Sequence, residues 1–183
     1  MKVTIEAENV IARTADRLLE AYNTTYNQNK TLESFDPYEL NTKYPITPSV
    51  ASKVWVDYTA IKTVDGLRGT IQALNDLGNL GQVSVKASGD TQTVERIEKW
   101  LRFMKLPYDK FEPVVIGSGD RVALPHNTTV VIDADPRVGS LGVPLLLRKQ
   151  PWNQTAESSN ITLINTLSDT VPLVRRLSWG FGR

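Results

Sequence analysis

The stretch that decides the fold reads Val-Val-Ile-Asp-Ala-Asp-Pro at residues 130–136 and Gly-Val-Pro-Leu-Leu-Leu at residues 142–147. Each piece contains a short apolar run, which is typical of strands buried on both faces of a parallel sheet. Asp133 and Asp135 end the first run before a proline that cannot continue the strand, so we expect their carboxylates at the carboxyl edge of the sheet. Open α/β sheets bind their ligands at that edge.

Further strands and helices are predicted on both sides of this stretch. With the two strands just described, the apolar patterns predict five strands, at residues 2–7, 83–87, 113–117, 129–133 and 144–148. A period of 3.6 predicts helices between them, the first with Thr14 as its N-cap and another with Asp90 as its N-cap. The predicted fold class is α/β, a three-layer α/β/α sandwich around a five-stranded parallel sheet.

Residues 23–61 follow neither period. They are polar, are interrupted by Pro37, Pro45 and Pro48, and contain six of the 14 aromatic residues of the chain. A segment of this length between regular units is either a lid or a small subdomain. We therefore predict a helical cap at 23–61, inserted into a core formed by residues 1–22 and 62–183. Its aromatic side chains could stack on a base or a sugar, but packing within the cap is the favoured interpretation.

The composition excludes several kinds of chemistry. The chain of 183 residues has no cysteine and one histidine, His126, which excludes thiolate nucleophiles, cysteine zinc sites and histidine-rich metal sites. Lys and Arg number 21 against 20 for Asp and Glu, so nucleic acid is not an expected partner. The chain shows neither an apolar signal region nor a membrane span, and we expect a cytoplasmic protein with no membrane partner.

Short pieces of sequence in a fixed order suggest a family. They include residues 2–12, Leu-Glu-Ala-Tyr-Asn at 19–23, Leu-Glu-Ser-Phe-Asp-Pro-Tyr-Glu-Leu at 32–40, residues 66–77 and 100–109, the stretch at 131–147, Gln-Pro-Trp-Asn at 150–153 and Arg-Leu-Ser-Trp at 176–179. In order and spacing they resemble the haloacid dehalogenase-like superfamily, and within it the 5'(3')-deoxyribonucleotidases. The resemblance covers nearly the whole chain and implies a Rossmann-like core with a small cap.

The resemblance assigns candidate site residues. In phosphatases of this superfamily, one first-motif Asp attacks phosphorus, a second is the general acid and base, and a fourth-motif Asp helps to hold magnesium. The equivalent positions here are Glu6, Glu8 and Asp133, so magnesium, if it binds, would be held by Glu6 and Asp133. The hydroxyl residue that binds phosphate is replaced by Lys86, and Arg121 lies nearest to the position of the third-motif lysine.

These departures imply a degenerate site. Glu6 is one methylene longer than Asp, which moves the attacking oxygen by about 1 Å and can cost on the order of a hundredfold in rate. Glu8 misplaces the proton donor in the same way. Lys86 brings an ammonium to the carboxylates, and we expect it to replace magnesium, so no cofactor is expected. A plainer interpretation, in which the acidic residues are solvated strand ends, remains open.

Three functional hypotheses follow. The first is a pseudophosphatase that serves as a binding or assembly module, with a protein partner expected and a nucleotide possible. The second is a magnesium-dependent nucleotidase or phosphatase with a rearranged site. The third is a structural or regulatory protein acting through its surface, including the basic aromatic tail within residues 154–183. In that tail, residues 161–167 are either strand or helix. Its end is basic and aromatic and could grip a partner protein or nucleic acid through Arg175, Arg176, Trp179, Phe181 and Arg183. Packing of Leu173, Leu177 and Trp179 on the body is the alternative.

Overall fold

The computed structural model describes residues 1–37, 43–115 and 122–180. Its centre is a sheet of six strands in the order β3-β2-β1-β4-β5-β6, and every neighbouring pair is parallel. The strands are β1 (Lys2–Glu6), β2 (Gln82–Gly89), β3 (Lys110–Val115), β4 (Val130–Asp133), β5 (Leu145–Arg148) and β6 (Ile161–Ile164). This order is that of doubly wound, Rossmann-like sheets, so the predicted α/β class with a parallel sheet is confirmed.

The prediction of five strands is wrong, because β6 adds a sixth strand beside β5. The amide of Leu145 donates to the carbonyl of Asn160, and the amide of Lys149 donates to the carbonyl of Ile164, so backbone pairing extends the sheet by one strand. Of the residues in β6, only Ile164 is fully buried, as expected for a strand at the edge of the sheet. A short edge strand therefore lacks the continuous apolar run that identified the inner strands.

The strand predicted at 113–117 begins earlier, at Lys110, and its residues 116 and 117 lie outside the described part of the chain. Pro113 lies inside this strand, where its missing N–H would interrupt a central ladder. The interruption is tolerated because β3 is an edge strand with a partner on one side only. The prediction was based on the apolar run of residues 114–116, and it therefore missed the polar start of the strand.

The described residues form five α-helices beside the sheet: α1 (Ala15–Tyr26), α2 (Pro48–Val54), α3 (Leu67–Gly78), α4 (Thr91–Phe103) and α5 (Thr170–Gly180). Asp90 caps α4 as predicted, since its side chain accepts the amide of Thr93 at 2.7 Å. Thr14 precedes α1 but makes no side-chain capping bond, because its hydroxyl donates to Oδ1 of Asn9 instead. None of the described helices is long and apolar enough to cross a membrane.

The inner strands are buried on both faces, as their apolar runs predicted. Every residue of β4 and of β5 is buried. One face packs into the main core with α3 and α4, through Leu74, Leu77, Ile97, Trp100 and Leu101, and the other forms a smaller cluster of Val131, Val138, Leu145 and Leu147. Packing in these two cores fixes the register of each inner strand, and hence the position of the side chains at its carboxyl end.

The predicted cap segment, residues 23–61, contributes a third apolar cluster around Tyr22, Phe35, Ile46 and Val50. The ring of Tyr22 lies 5.1 Å from that of Tyr26 and 5.2 Å from that of Phe35, so these aromatic side chains pack on one another. Helix α1 runs across the predicted boundary at residue 22, and the division into core and cap stays a prediction.

The carboxy-terminal segment contains strand β6 at Ile161–Ile164, so the strand alternative holds there, and continues into helix α5. Leu173 and Leu177 of α5 pack against the main core, whereas Trp179 is 73% exposed. The packing alternative therefore holds for the two leucines and not for the tryptophan. Residues 181–183, the end of the predicted tail, lie outside the described residues.

Two leucines of α3 test which face of the helix is buried. Leu74 is 1% exposed in the main core and Leu67 is 42% exposed. We expect Leu74→Ala to lower the free energy of unfolding by about 2–5 kcal/mol, because it leaves a cavity, and Leu67→Ala to lower it by less than about 1 kcal/mol. Urea unfolding of both variants checks this, and equal losses would contradict the assigned face.

Candidate functional site

Three charged side chains meet at the carboxyl edge of the central strands. Glu6 ends β1 and is in register with Lys86 of β2, and Asp133 ends β4 on the other side of β1. The Lys86 Nζ lies 2.9 Å from Oε2 of Glu6 and 3.0 Å from Oδ2 of Asp133. Lys86 is only 2% exposed. We call these three residues the edge cluster.

Lys86 remains charged in this environment. Burial by itself lowers the pKa of the ammonium, since it removes the water that solvates the charge. The carboxylates of Asp133 and Glu6 outweigh this penalty, and the pKa of Lys86 is raised above its usual value. The cluster therefore contains a permanent internal cation.

The negative charge of Glu6 is stabilised less completely than the positive charge of Lys86. Burial is the largest effect and raises the pKa of Glu6; Lys86 lowers it in part, and the neighbouring Asp133 and Glu8 raise it again, which leaves it at about 7. A single ammonium cannot fully stabilise two buried carboxylates. In addition, Oε1 of Glu6 has no hydrogen-bond partner, whereas Oδ1 of Asp133 accepts the amides of Ala134 and Asp135 at 2.7 and 3.0 Å.

The other predicted acidic residues are held by neighbours. Oε1 of Glu8 accepts the indole N–H of Trp55 at 2.8 Å. Asp135 accepts the amide of Arg137 at 2.9 Å and forms an ion pair with its guanidinium at 2.6 Å. Asp135 thus fixes the turn after β4. The sequence did not predict its ion pair with Arg137, because Arg137 follows a proline and is not part of a periodic pattern. Arg121 lies outside the described residues.

Asn9 shapes the turn after β1. Asn9 adopts a positive φ of 61°, a conformation that asparagine accepts more readily than most residues. Its backbone amide donates to the carbonyl of Ala12 at 2.9 Å, and its side chain accepts the hydroxyl of Thr14. The carbonyl of Asn9 also accepts the side-chain amide of Gln150 at 3.0 Å, which ties this turn to the loop after β5.

A cavity of about 120 Å³ lies against the edge cluster. Its charged lining comprises Glu6, Glu8, Lys86, Asp90, Asp133 and Asp135, and its apolar lining includes Leu18, Pro37, Ile46, Pro48 and Ala51. Most of the apolar residues belong to the predicted cap segment. We call this space the edge cavity.

Sequence reasoning missed three polar residues of the edge cavity, Ser88, Asp90 as a lining residue, and Thr93. They lie at the carboxyl end of β2 and in the first turn of α4. The rule that pointed to Asp133, that side chains after a strand reach the ligand-binding edge, applies equally to Ser88 and Asp90. Thr93 carried no such signal, since its position depends on how α4 leaves the sheet.

The edge cluster does not fit magnesium. The ion requires a nearly octahedral set of oxygen ligands at about 2.1 Å, and the Lys86 ammonium bridges the two carboxylates that the resemblance assigns to it. Among the residues that the structure describes, no group of three or more His, Asp or Glu is arranged to hold a metal ion.

The raised pKa of Glu6 predicts a pH dependence of stability. Its folded-state pKa of about 7 lies above the usual 4.5, so the folded protein holds a proton that the unfolded chain releases. The resulting stabilisation is complete below pH 4.5 and disappears as the pH rises through 7. Relative to Glu6→Gln, the wild type should lose about 3 kcal/mol of unfolding free energy across this range.

Urea unfolding of both proteins between pH 4 and pH 8, in about half-unit steps, measures this difference. Glu95 on α4 is exposed, and Glu95→Gln is the matched control, for which we expect no comparable change. A constant difference between wild type and Glu6→Gln over this range would show that Glu6 is not destabilised by its surroundings.

No protein-family model matches the chain, and no curated protein matches it significantly in sequence. The chain is similar in fold to solved structures of known proteins. A haloacid dehalogenase-like family hydrolase from Xanthomonas campestris matches with a TM-score of 0.58 and 14% identity, over 100% of this chain and 98% of its own.

A putative β-phosphoglucomutase from Thermotoga maritima has a TM-score of 0.52 and 11% identity, over 96% of this chain and 98% of its own. A dehalogenase with an intermediate complex has a TM-score of 0.53 and 12% identity, over 94% and 96%. The structural similarity shows the fold. At such low sequence identities, it does not show that any catalytic residue is shared. The chain has the fold of haloacid dehalogenase-like hydrolases.

Proposed function

We propose that the protein is a haloacid dehalogenase-like pseudophosphatase, a non-catalytic module that binds a ligand or assembles with a protein partner. The observation that carries this proposal is the Lys86 ammonium, which lies within hydrogen-bond distance of both Glu6 and Asp133. Its charge and bulk occupy the space in which a phosphatase of this kind would bring together metal, nucleophile and phosphate.

Two features would prevent Glu6 from acting as a nucleophile. Oε2 of Glu6 is engaged by Lys86, so an oxygen that would have to attack phosphorus is instead one half of an ion pair. At neutral pH, the pKa of about 7 leaves a large share of Glu6 protonated, and a protonated carboxyl is a poor nucleophile. Neither effect is relieved by the additional methylene of glutamate.

Glu8, at the position of the general acid and base, is held by a buried tryptophan. Glu8 would have to move a proton to and from the leaving group, yet its Oε1 accepts a hydrogen bond from the Trp55 indole at 2.8 Å. Trp55 is fully buried in the main core, and its position is therefore rigid. The orientation of Glu8 is set by packing and not by a substrate.

Kinship with the 5'(3')-deoxyribonucleotidases, a cytoplasmic location and a protein partner are part of the same proposal. The Gln-Pro-Trp-Asn piece that supports this kinship has a structural role, because the Asn153 side chain donates to the carbonyls of Ala134 and Arg148 at 2.9 and 2.8 Å. These bonds connect β4 with β5 beside the site. They explain why such a piece would persist in a protein without activity.

The proposal predicts no phosphatase activity. Purified protein with magnesium should release no phosphate from deoxynucleoside monophosphates or from an aryl phosphate beyond the rate seen with Glu6→Gln. A sensitive phosphate-release assay on both proteins makes the comparison. Turnover by the wild type that disappears in Glu6→Gln would identify an active enzyme with a rearranged site.

Thermal melts test whether Lys86 takes the place of a metal ion. We expect magnesium to leave the melting temperature of the wild type unchanged. Lys86→Thr should lower the unfolding free energy by about 3–5 kcal/mol, since it leaves two buried carboxylates without a counter-ion. Magnesium at about a hundred times its dissociation constant should then restore about 2.7 kcal/mol to this variant.

Lys149 is the matched control, because it is exposed immediately after β5. Lys149→Thr should behave like the wild type, with no magnesium effect. If magnesium stabilises the wild type as strongly as Lys86→Thr, the ammonium does not replace the metal, and the enzymatic alternative is favoured.

A further inference from the structure

The outward side of α5 carries two arginines and a tryptophan. Val174 is fully buried and Leu177 packs against the main core, so these residues mark the inner side of the helix. Arg175 and Arg176 are exposed, and Trp179, at 73%, is the most exposed large apolar side chain of the described residues. Residues three and four positions apart are neighbours on a helix, so Trp179 lies beside both arginines. We call these three residues the α5 face.

The charges of the α5 face are not neutralised within the described part of the protein. Neither Arg175 nor Arg176 forms an ion pair with a described carboxylate, and α5 itself contains no acidic residue. Asp169, the carboxylate nearest to them in the sequence, accepts the amides of Asn165 and Thr166 at 2.9 and 2.8 Å instead. Both guanidinium groups are therefore available to a partner.

The residue types of the α5 face are those that bind proteins. Tryptophan and arginine are among the side chains that contribute most to binding energy at protein interfaces. A guanidinium binds a carboxylate through two parallel hydrogen bonds, and an indole ring offers a broad apolar surface. The α5 face therefore complements a protein segment that has carboxylates beside an apolar side chain.

Nucleic acid and membranes fit the α5 face less well. Two arginines neutralise only two phosphates, and the whole chain has a net charge of +1, so the attraction for nucleic acid is weak. A helix that lies on a membrane inserts its apolar side into the lipid. The apolar side of α5 is packed in the main core through Leu173, Val174 and Leu177. The charges and the packing together favour a protein partner.

We propose that the α5 face docks an acidic segment of a partner protein. Two carboxylates of this segment pair with Arg175 and Arg176, and an apolar side chain between them packs on the ring of Trp179. The inference rests on the proposed function, because it names the kind of partner that a non-catalytic assembly module takes. The α5 face shares no residue with the edge cluster or the lining of the edge cavity, so its variants leave that site unchanged.

Tryptophan fluorescence tests the charge around Trp179 without a partner. Trp55 and Trp100 are fully buried, so dissolved ions reach Trp179 far more readily. The difference between wild type and Trp179→Phe gives the Trp179 signal, which the anion iodide should quench more strongly than the cation caesium. Arg175→Gln/Arg176→Gln should remove this preference. Equal quenching of the wild type by both ions would show that the charges of the arginines are not free.

Fluorescence anisotropy tests the class of partner. The probe is a labelled peptide of three Glu-Glu-Leu repeats, and its uncharged counterpart has three Gln-Gln-Leu repeats. We expect the acidic peptide to bind the wild type at least about tenfold more tightly than the counterpart at about 50 mM salt. The preference should decrease at about 500 mM salt, which screens exposed charges. No binding of the acidic peptide, or equal binding of both peptides, would overturn the inference.

Variants of the α5 face test where the peptide binds. Arg175→Gln/Arg176→Gln and, separately, Trp179→Ala should each weaken binding of the acidic peptide by about tenfold or more. All three side chains are exposed, so these variants should be as stable as the wild type. Arg102 on α4 is 72% exposed, and Arg102→Gln is the matched control, which should bind like the wild type. An equal loss in the control would contradict a specific docking surface.

Other occupants of the α5 face are distinguished with the same variants. Tighter binding of a single-stranded oligonucleotide of about 20 nucleotides, or of phosphatidylserine vesicles, would assign the face to nucleic acid or membrane if the variants abolish it. A dimer detected by analytical ultracentrifugation that disappears in Trp179→Ala would assign it to a second copy of this chain. We expect none of these results, and each would overturn the assignment to an acidic protein segment.

The outcomes separate this inference from the proposed function. A protein that hydrolyses phosphate monoesters contradicts the pseudophosphatase proposal whatever the acidic peptide does. A protein that is inactive and does not bind the acidic peptide contradicts the docking surface alone.

Discussion

A buried ammonium between two buried carboxylates is the interaction on which this structure depends. Lys86, Glu6 and Asp133 come from the neighbouring strands β2, β1 and β4, so their contacts join the carboxyl ends of the three central strands. Removal of one of the three charged side chains leaves the opposite charge buried without a partner. This loss of stability is far larger than the net stability that the ion pairs contribute. The cluster therefore constrains the sheet locally and fixes the chemistry of its edge.

The consequence for function follows from the number of charges. A phosphoryl-transfer site needs positive charge that faces the substrate. In the edge cluster, the Lys86 ammonium is instead paired with the carboxylates of Glu6 and Asp133. Among the described residues, the cavity beside it is lined by five acidic side chains and one basic side chain. One difference, Lys86 where the phosphatases that the sequence resembles carry a hydroxyl residue, thus accounts for the proposed loss of catalysis.

The central part of the fold was predictable because it is strongly patterned. Continuous apolar runs identified β4 and β5, and the rule that ligands bind at the carboxyl edge placed Glu6 and Asp133 at the same end of the sheet. The edge strands were less predictable, since β6 is only partly buried and β3 includes Pro113. The unpaired oxygens of Ser88 and Thr93 carry no sequence signal, because an absent hydrogen bond depends on the positions of all neighbouring groups.

A crystal structure determined with magnesium in large excess tests the central claim most directly. We expect the Lys86 Nζ to remain between Glu6 Oε2 and Asp133 Oδ2, at distances of 2.9 and 3.0 Å, with no metal ion on either carboxylate. A magnesium ion coordinated by Glu6 and Asp133, with the Lys86 side chain turned away, would contradict it.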